Sequence, residues 1–214
     1  MAEDRTPDPV AVSVAAYDAH ADGYESAYAA RYADIVARFA ASLPVPSRIL
    51  DAGCGPGRDL ARFVAHGHLP VGLDLSAPFV AKARRHAPTM LGDLRDVAAL
   101  RPGARFDGIW AAASLVHLPE TDARDVLGQF AALLRPGGKL FLSVRCAGET
   151  GWLDEPDGRR WYAVWPPDAL DRAVTDAGFI VDDVSATTYV ELWATRAPDA
   201  PAETVEAGDG GRRP

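Results

Sequence analysis

Arg48-Ile49-Leu50-Asp51-Ala52-Gly53-Cys54-Gly55-Pro56-Gly57-Arg58 is the stretch on which the fold turns. Arg48–Ala52 is a short apolar run following Pro44 and Pro46 and reads as a strand. Three glycines at alternate positions come next, and residues 57–66 read as a helix. A strand that runs through a glycine loop into a helix puts the loop at a strand's carboxyl end, where doubly wound folds bind ligands. Glycine there lets the backbone come close to the ligand. In the dinucleotide fingerprint G-x-G-x-x-G the third glycine would fall at position 58, but this chain has Arg58 and places its glycine at 57. With no Tyr-x-x-x-Lys pair present, a nicotinamide-dependent oxidoreductase is set aside.

Downstream of this stretch, apolar runs at 70–74, 89–92, 106–112 and 139–145 alternate with helical stretches at 77–87 and 121–134. That alternation is the mark of a parallel sheet with helices on both faces. Ser76 caps one helix, and Gly67 and Gly137-Gly138 follow helix ends. An insertion at 146–165 holds Trp152, Trp161, Tyr162 and Trp165; a helix at 167–177 stops at Gly178, and runs at 179–184 and 189–196 pair as an antiparallel hairpin. Upstream, Val14, Tyr17, Ala21, Tyr24, Tyr28, Ile35, Phe39 and Leu43 recur at helical intervals and imply two helices. The expected organisation is a disordered lead at 1–9, one domain at 10–197 with a helical cap at 10–43 and an aromatic insertion at 146–165, and a disordered tail at 198–214.

The 214 residues carry a net charge of −8, which disfavours nucleic acid and leaves a small molecule as the default partner. No apolar run approaches the ~18 residues of a membrane span, and Met1-Ala2-Glu3-Asp4-Arg5 is too acidic for a secretory signal, so the expected setting is the cytoplasm with no membrane partner. Two cysteines and five histidines show no metal-ligand spacing, so no metal is expected. A monomer and a homodimer are equally compatible with the sequence.

Asp74 ends the second strand about 20 residues beyond the glycines, where a carboxylate accepts hydrogen bonds from ribose hydroxyls; a solvated surface acid is the alternative. Asp51–Gly57 resembles the first motif of the class I S-adenosylmethionine-dependent methyltransferases, and four later segments match in order: Val71–Ser76, Leu91-Gly92-Asp93-Leu94, Phe106–Ser114 and Leu134–Leu140. The resemblance covers residues 48–145. It implies a Rossmann-like, doubly wound α/β sheet of seven mostly parallel strands with an antiparallel last strand. It implies that Gly53, Cys54, Gly55 and Gly57 lie against the methionine part of the cofactor, that Asp51 reaches its amino group, and that Asp93 takes the adenine amino group with Leu94 beside the ring; Asp96 is a competing acceptor. Tyr17, Tyr24, Arg58, Leu75, Ala111 and Ser114 complete the expected cofactor site.

Methyl transfer mainly requires an aligned nucleophile and exclusion of water. His117, just after the fourth strand, is the candidate general base; packing, or capping the helix near Thr121, is its alternative. The loop lacks the Asn-Pro-Pro-Tyr type of sequence, which argues against DNA adenine methylation. Arg145 is a candidate for a substrate carboxylate or phosphate, with Arg159 and Arg160 behind it; a surface ion pair is the alternative for each. Trp152, Trp161 and Tyr162 are candidate substrate contacts, with core packing the competing account. The expected function is methyl transfer from S-adenosylmethionine to an oxygen or nitrogen of a small metabolite, releasing S-adenosylhomocysteine. Its competitor is a non-methylating protein that binds the same cofactor.

Overall fold

A computed structural model describes residues 7–27, 32–100 and 105–199. The central sheet is built from β1 (Arg48–Ala52), β2 (Leu69–Asp74), β3 (Thr89–Leu91), β4 (Phe106–Ala112), β5 (Leu134–Arg145), β8 (Phe179–Ala186) and β9 (Tyr189–Arg196). These seven strands lie in the order β3-β2-β1-β4-β5-β9-β8. β9 runs antiparallel to both its neighbours, β5 and β8, and the other pairs are parallel. The sheet is thus doubly wound, with a reversed last strand.

The parallel strands are buried on both faces, and the alternation of their side chains fills two cores. Leu50, Ala52, Ile109, Ala111, Leu140 and Leu142 face α6 (Glu120–Leu133) and α7 (Pro167–Asp176). Ile49, Trp110, Phe141 and Trp193 face α3 (Ala33–Ala41) and α4 (Arg58–Ala65). Trp110 stacks on Phe141 with ring centroids 4.3 Å apart, and its indole N–H donates to Asp59 of α4 at 3.2 Å. From β1 the chain winds outward through α4, β2, α5 (Ala77–Ala83) and β3, then returns to the opposite side of β1 to form β4. The strand order therefore reverses between β1 and β4, which opens a crevice at their carboxyl ends.

Four local expectations are corrected. The sequence predicts two helices before β1, but three are present, because His20, at φ −124°, breaks the first run into α1 (Pro9–Ala19) and α2 (Ala21–Ala27) ahead of α3. The 146–165 insertion contains a hairpin of β6 (Gly151–Glu155) and β7 (Gly158–Tyr162), with Trp152 opposite Trp161. The Leu134–Gly138 segment, expected as a turn, is the irregular start of β5, with a register shift opposite it between Phe106 and Gly108. Asp8 and Pro9, placed in the expected lead, are ordered by local chemistry: the Asp8 carboxylate caps α1 and pairs with Arg95. The remainder of that lead up to residue 6, Tyr28, and the tail from 200 lie outside the described residues. No helix of the described residues is long and apolar enough to cross a membrane, and none of their His, Cys, Asp and Glu side chains cluster as a metal site.

Candidate functional site

The glycine loop is pinned from below: the amides of Gly53 and Cys54 both donate to the Leu73 carbonyl of β2, at 2.8 and 3.0 Å. Gly53, Gly55 and Gly57 all adopt the left-handed conformation, with φ of 81°, 53° and 90°. Gly57 lines neither recess described below. It starts α4, and a Cβ there would lie 2.8 Å from the Cα of Ala83. The absence of a side chain there lets α4 and α5 pack closely.

Above the loop a cleft encloses about 900 Å³, part of it open to solvent. Gly53 and Gly55 form its floor. Asp74, Leu75, Asp93 and Leu94 line it from the ends of β2 and β3, and Ser114 and His117 from the loop after β4; Val10, Val14, Tyr17 and Tyr24 roof it. A second recess joins it through Tyr24, Gly53, Gly55, Arg58 and Ala112, and is lined further by Asp51, Cys54, Asp59, Arg85 and His86. Among the described residues, two non-glycine positions have positive φ, Tyr32 (62°) and Ala113 (54°), and both border the main cleft. Strained backbone of this kind is retained where the surrounding structure demands it, commonly at binding sites.

Each acid is held differently. Asp74 accepts the Gly55 amide on Oδ2 at 2.7 Å and the Ser76 amide on Oδ1 at 2.8 Å, which ties the glycine loop to the end of β2. Burial nevertheless raises its pKa. Asp51 is almost wholly buried and its Oδ2 has no hydrogen-bond partner. Burial, followed by the nearby Asp59 charge, holds its carboxyl well above the usual carboxylate range. Asp93 is held by Arg95, which donates from its backbone to Oδ1 and from its guanidinium to Oδ2, and also pairs with Asp8. Asp96, the competing acceptor, lies in the 3-10 turn Leu94–Leu100 and does not line the cleft.

His117 is fixed at both ring nitrogens. Nδ1 donates to the Trp161 carbonyl at 2.7 Å, which leaves Nε2 to accept the Tyr17 hydroxyl at 2.8 Å. Burial drives its pKa down to about 4. Tyr17 also carries the Arg160 guanidinium over its ring, 4.3 Å from the centroid, and burial raises its own pKa well above the usual tyrosine value.

Of the expected cofactor residues, Tyr17, Tyr24, Gly53, Gly55, Arg58, Asp74, Leu75, Asp93, Leu94 and Ser114 line the main cleft, and Asp51 and Cys54 line the joined recess. Ala111 is a correction: the strand's alternation turns it into the core, and Ala112 and Ala113 face the cleft instead. The expected substrate residues are also displaced. Arg145 donates to the Ala147 carbonyl and lies over Tyr162, Tyr162 packs on His117, and Trp152 and Trp161 pair edge to face on the hairpin; none of the four lines either recess. They form a layer behind His117, because the hairpin packs on α1, where a Cβ at Gly158 would meet Ala16 at 2.8 Å. Sequence reasoning missed Tyr32, Phe79 and Ser76 in the cleft, and Asp59 and Arg95 as the groups that fix its charges.

Residues 24–184 match a family described as a methyltransferase domain. The chain is 33% identical to trans-aconitate 2-methyltransferase of Methylobacterium nodulans over 169 residues, 77% of this chain and 61% of that enzyme. It is 30% identical to ubiquinone biosynthesis O-methyltransferase of Xanthomonas euvesicatoria pv. vesicatoria, over 71% of this chain and 70% of the relative. Its fold is shared with 1,6-didemethyltoxoflavin-N1-methyltransferase of Burkholderia thailandensis, crystallised with bound 1,6-didemethyltoxoflavin and S-adenosylhomocysteine (TM-score 0.71, 23% identity, 92% of this chain and 94% of that one). By sequence and by fold, the chain belongs to the methyltransferase domain family.

Proposed function

We propose that the protein transfers a methyl group from S-adenosylmethionine to an oxygen or nitrogen of a small molecule, in the cytoplasm, through one domain spanning residues 10–197. The observation that supports this most is the unanswered chemistry on the glycine floor: the buried Asp51 Oδ2 and the buried Ser114 Oγ both lack partners, as groups built to meet a polar ligand do. Asp51 suits an ammonium. Asp74, locked by two amides, keeps lone pairs for a ribose diol, and Leu75 and Leu94 offer apolar flanks to a flat base. Asp93 presents its carboxylate at the base position while Arg95 holds it in place. When bound, the cofactor supplies an electrophilic methyl group. The roof of Val10, Val14, Tyr17 and Tyr24 keeps water from it.

We infer that His117 positions Tyr17 rather than removing a proton from the acceptor. A base with a pKa of about 4 is roughly 6 units short of a phenolic acceptor, on the order of 8 kcal/mol uphill. Calorimetry with S-adenosylhomocysteine tests the functional reading directly: one-to-one binding is expected, and its absence would end it. Asp51→Asn is expected to move two measurements in opposite directions. The apo protein is expected to melt at a higher temperature, because asparagine removes an ionisable carboxyl that burial and the nearby Asp59 charge disfavour. Affinity for S-adenosylhomocysteine falls by about 10-fold or more, because the ammonium loses its charged partner. A lower melting temperature would contradict this account of Asp51.

A further inference from the structure

Asp93 follows β3, Asp74 ends β2 and the glycine loop follows β1, so a methyl donor held by these groups lies across the strand ends in the order of the sheet, β3-β2-β1. The next strands in that order, β4 and β5, border the part of the cleft that the donor leaves for an acceptor. Tyr32 stands there. It lines the cleft, and its ring meets Trp110 of β4 and Phe141 of β5 edge to face, with centroids 6.2 and 6.3 Å away.

One buried serine fixes this region. Ser143 of β5 lies on the same side of the sheet as Phe141, is fully buried, and sits opposite Ala112 of β4. Its Oγ accepts the Ala113 amide at 3.0 Å and is bonded to the Tyr32 hydroxyl at 2.9 Å. Ala113 and Tyr32 have φ of 54° and 62°, so a single hydroxyl ties together two strained turns that are distant in the chain, and both turns border the cleft.

The charges of the cleft restrict what can lie against Tyr32. Among the described residues that line it, Arg58 is the one cationic side chain, and its Nε and Nη2 are docked on Asp59, each at 2.8 Å. His117 is neutral, because burial drives its pKa down to about 4. A carboxylate or phosphate on the acceptor would therefore be buried without a counter-ion of its own, which is costly. The surfaces offered are aromatic: Tyr32 from the sheet, and from the roof Tyr24, packed on Phe79 with centroids 5.0 Å apart. We propose that the cleft beside β4 and β5 takes an uncharged, flat aromatic acceptor against Tyr32, and that Ser143 is the residue that positions Tyr32 for it. This deepens the methyl-donor reading and rests on it.

Three small probes test the proposal on protein saturated with S-adenosylhomocysteine, which fills the donor end of the cleft. Catechol is flat and neutral, protocatechuate adds a carboxylate to the same ring, and cyclohexanediol keeps two neighbouring hydroxyls without an aromatic face. Titration of the wild type with S-adenosylhomocysteine alone comes first and reports on the methyl-donor reading by itself. In saturation-transfer NMR titrations, catechol is expected to bind about 10-fold or more tighter than protocatechuate, and about 5-fold or more tighter than cyclohexanediol. Tyr32→Leu is expected to bring catechol down to the level of cyclohexanediol, and Ser143→Ala to weaken it about 3- to 10-fold, with S-adenosylhomocysteine affinity within about 3-fold of wild type in both. Protocatechuate binding as tightly as catechol would overturn the proposal, as would catechol binding no better than cyclohexanediol. Equal losses of catechol and S-adenosylhomocysteine affinity in the variants would reduce Ser143 and Tyr32 to structural residues. Tyr32 is on the cleft surface, so Tyr32→Leu stays informative even where Ser143→Ala weakens the fold.

Discussion

Gly53→Ala is expected to destabilise the protein by about 2–4 kcal/mol and to lower S-adenosylhomocysteine affinity more than about 100-fold. Two separate effects add. Gly53 sits at φ 81°, where an L-residue costs about 1–2 kcal/mol. Its added Cβ would also lie 2.3 Å from the Cβ of Ser114, a distance that two side chains on adjoining loops cannot share. The loop cannot simply retreat, because its amides are bonded to the Leu73 carbonyl. Either Ser114 or the glycine floor must move, and both line the cleft. A pair of variants separates the two effects. Ser114→Gly removes the two closest atoms and leaves the main chain of residue 114 as the nearest neighbour, at 3.5 Å, so Gly53→Ala/Ser114→Gly regains the steric part of the stability and not the backbone part. Denaturant unfolding and calorimetry read the two quantities. Near wild-type binding in Gly53→Ala would show that the floor of the cleft lies elsewhere.

This clash shows why the loop was legible in the sequence and its neighbourhood was not. Asp51, the glycines and Asp74 are local to strand ends, and strand ends are written in runs of apolar residues followed by glycine or acid. The reversed β9 was legible for the same reason, since its run and that of β8 are separated by a turn. Side-chain direction one residue further on was not: the second half of β4, Ile109–Ala112, reads as continuously apolar, so nothing in it says that Ala111 enters the core while Ala112 faces the cleft. The β6–β7 hairpin did leave a signal, because Pro156-Asp157-Gly158 is a turn sequence between runs that carry Trp152 and Trp161. Its packing on α1 did not, because Gly158 and Ala16 are brought together only by the tertiary fold. Arg95 and Asp59 carried no local signal, because a charge beside an opposite charge (Arg95 near Asp93, Asp59 between Arg58 and Arg62) reads as an ordinary surface pair, and only the distant contacts to Asp8 and Trp110 tie each to the rest of the fold.

Acid is expected to expose His117. Its pKa is about 4 in the folded protein against 6.5 for a free imidazole, so between these values the unfolded chain binds a proton that the native state refuses. Stability from this residue is complete above pH 6.5 and is lost as the pH falls toward 4, by about 3 kcal/mol in all. Asp51 and Asp74 act in the opposite sense, because their raised pKa values let the native state take up protons first and gain stability as the pH falls. The measurement is therefore a difference, wild type against His117→Asn, by denaturant unfolding from about pH 7 to about pH 4. The asparagine keeps a donor at the Nδ1 position for the Trp161 carbonyl without a titrating ring, and its shorter side chain does not reach the Nε2 position, so the Tyr17 hydroxyl loses its acceptor. A difference that stays flat across that range would refute the buried neutral imidazole. The same pair of residues decides the catalytic question: if His117 works by holding Tyr17, then Tyr17→Phe, His117→Asn and the double variant lower turnover to similar levels, because residues acting as one unit are not additive. A large loss in His117→Asn with Tyr17→Phe silent would instead return the imidazole to the role of base.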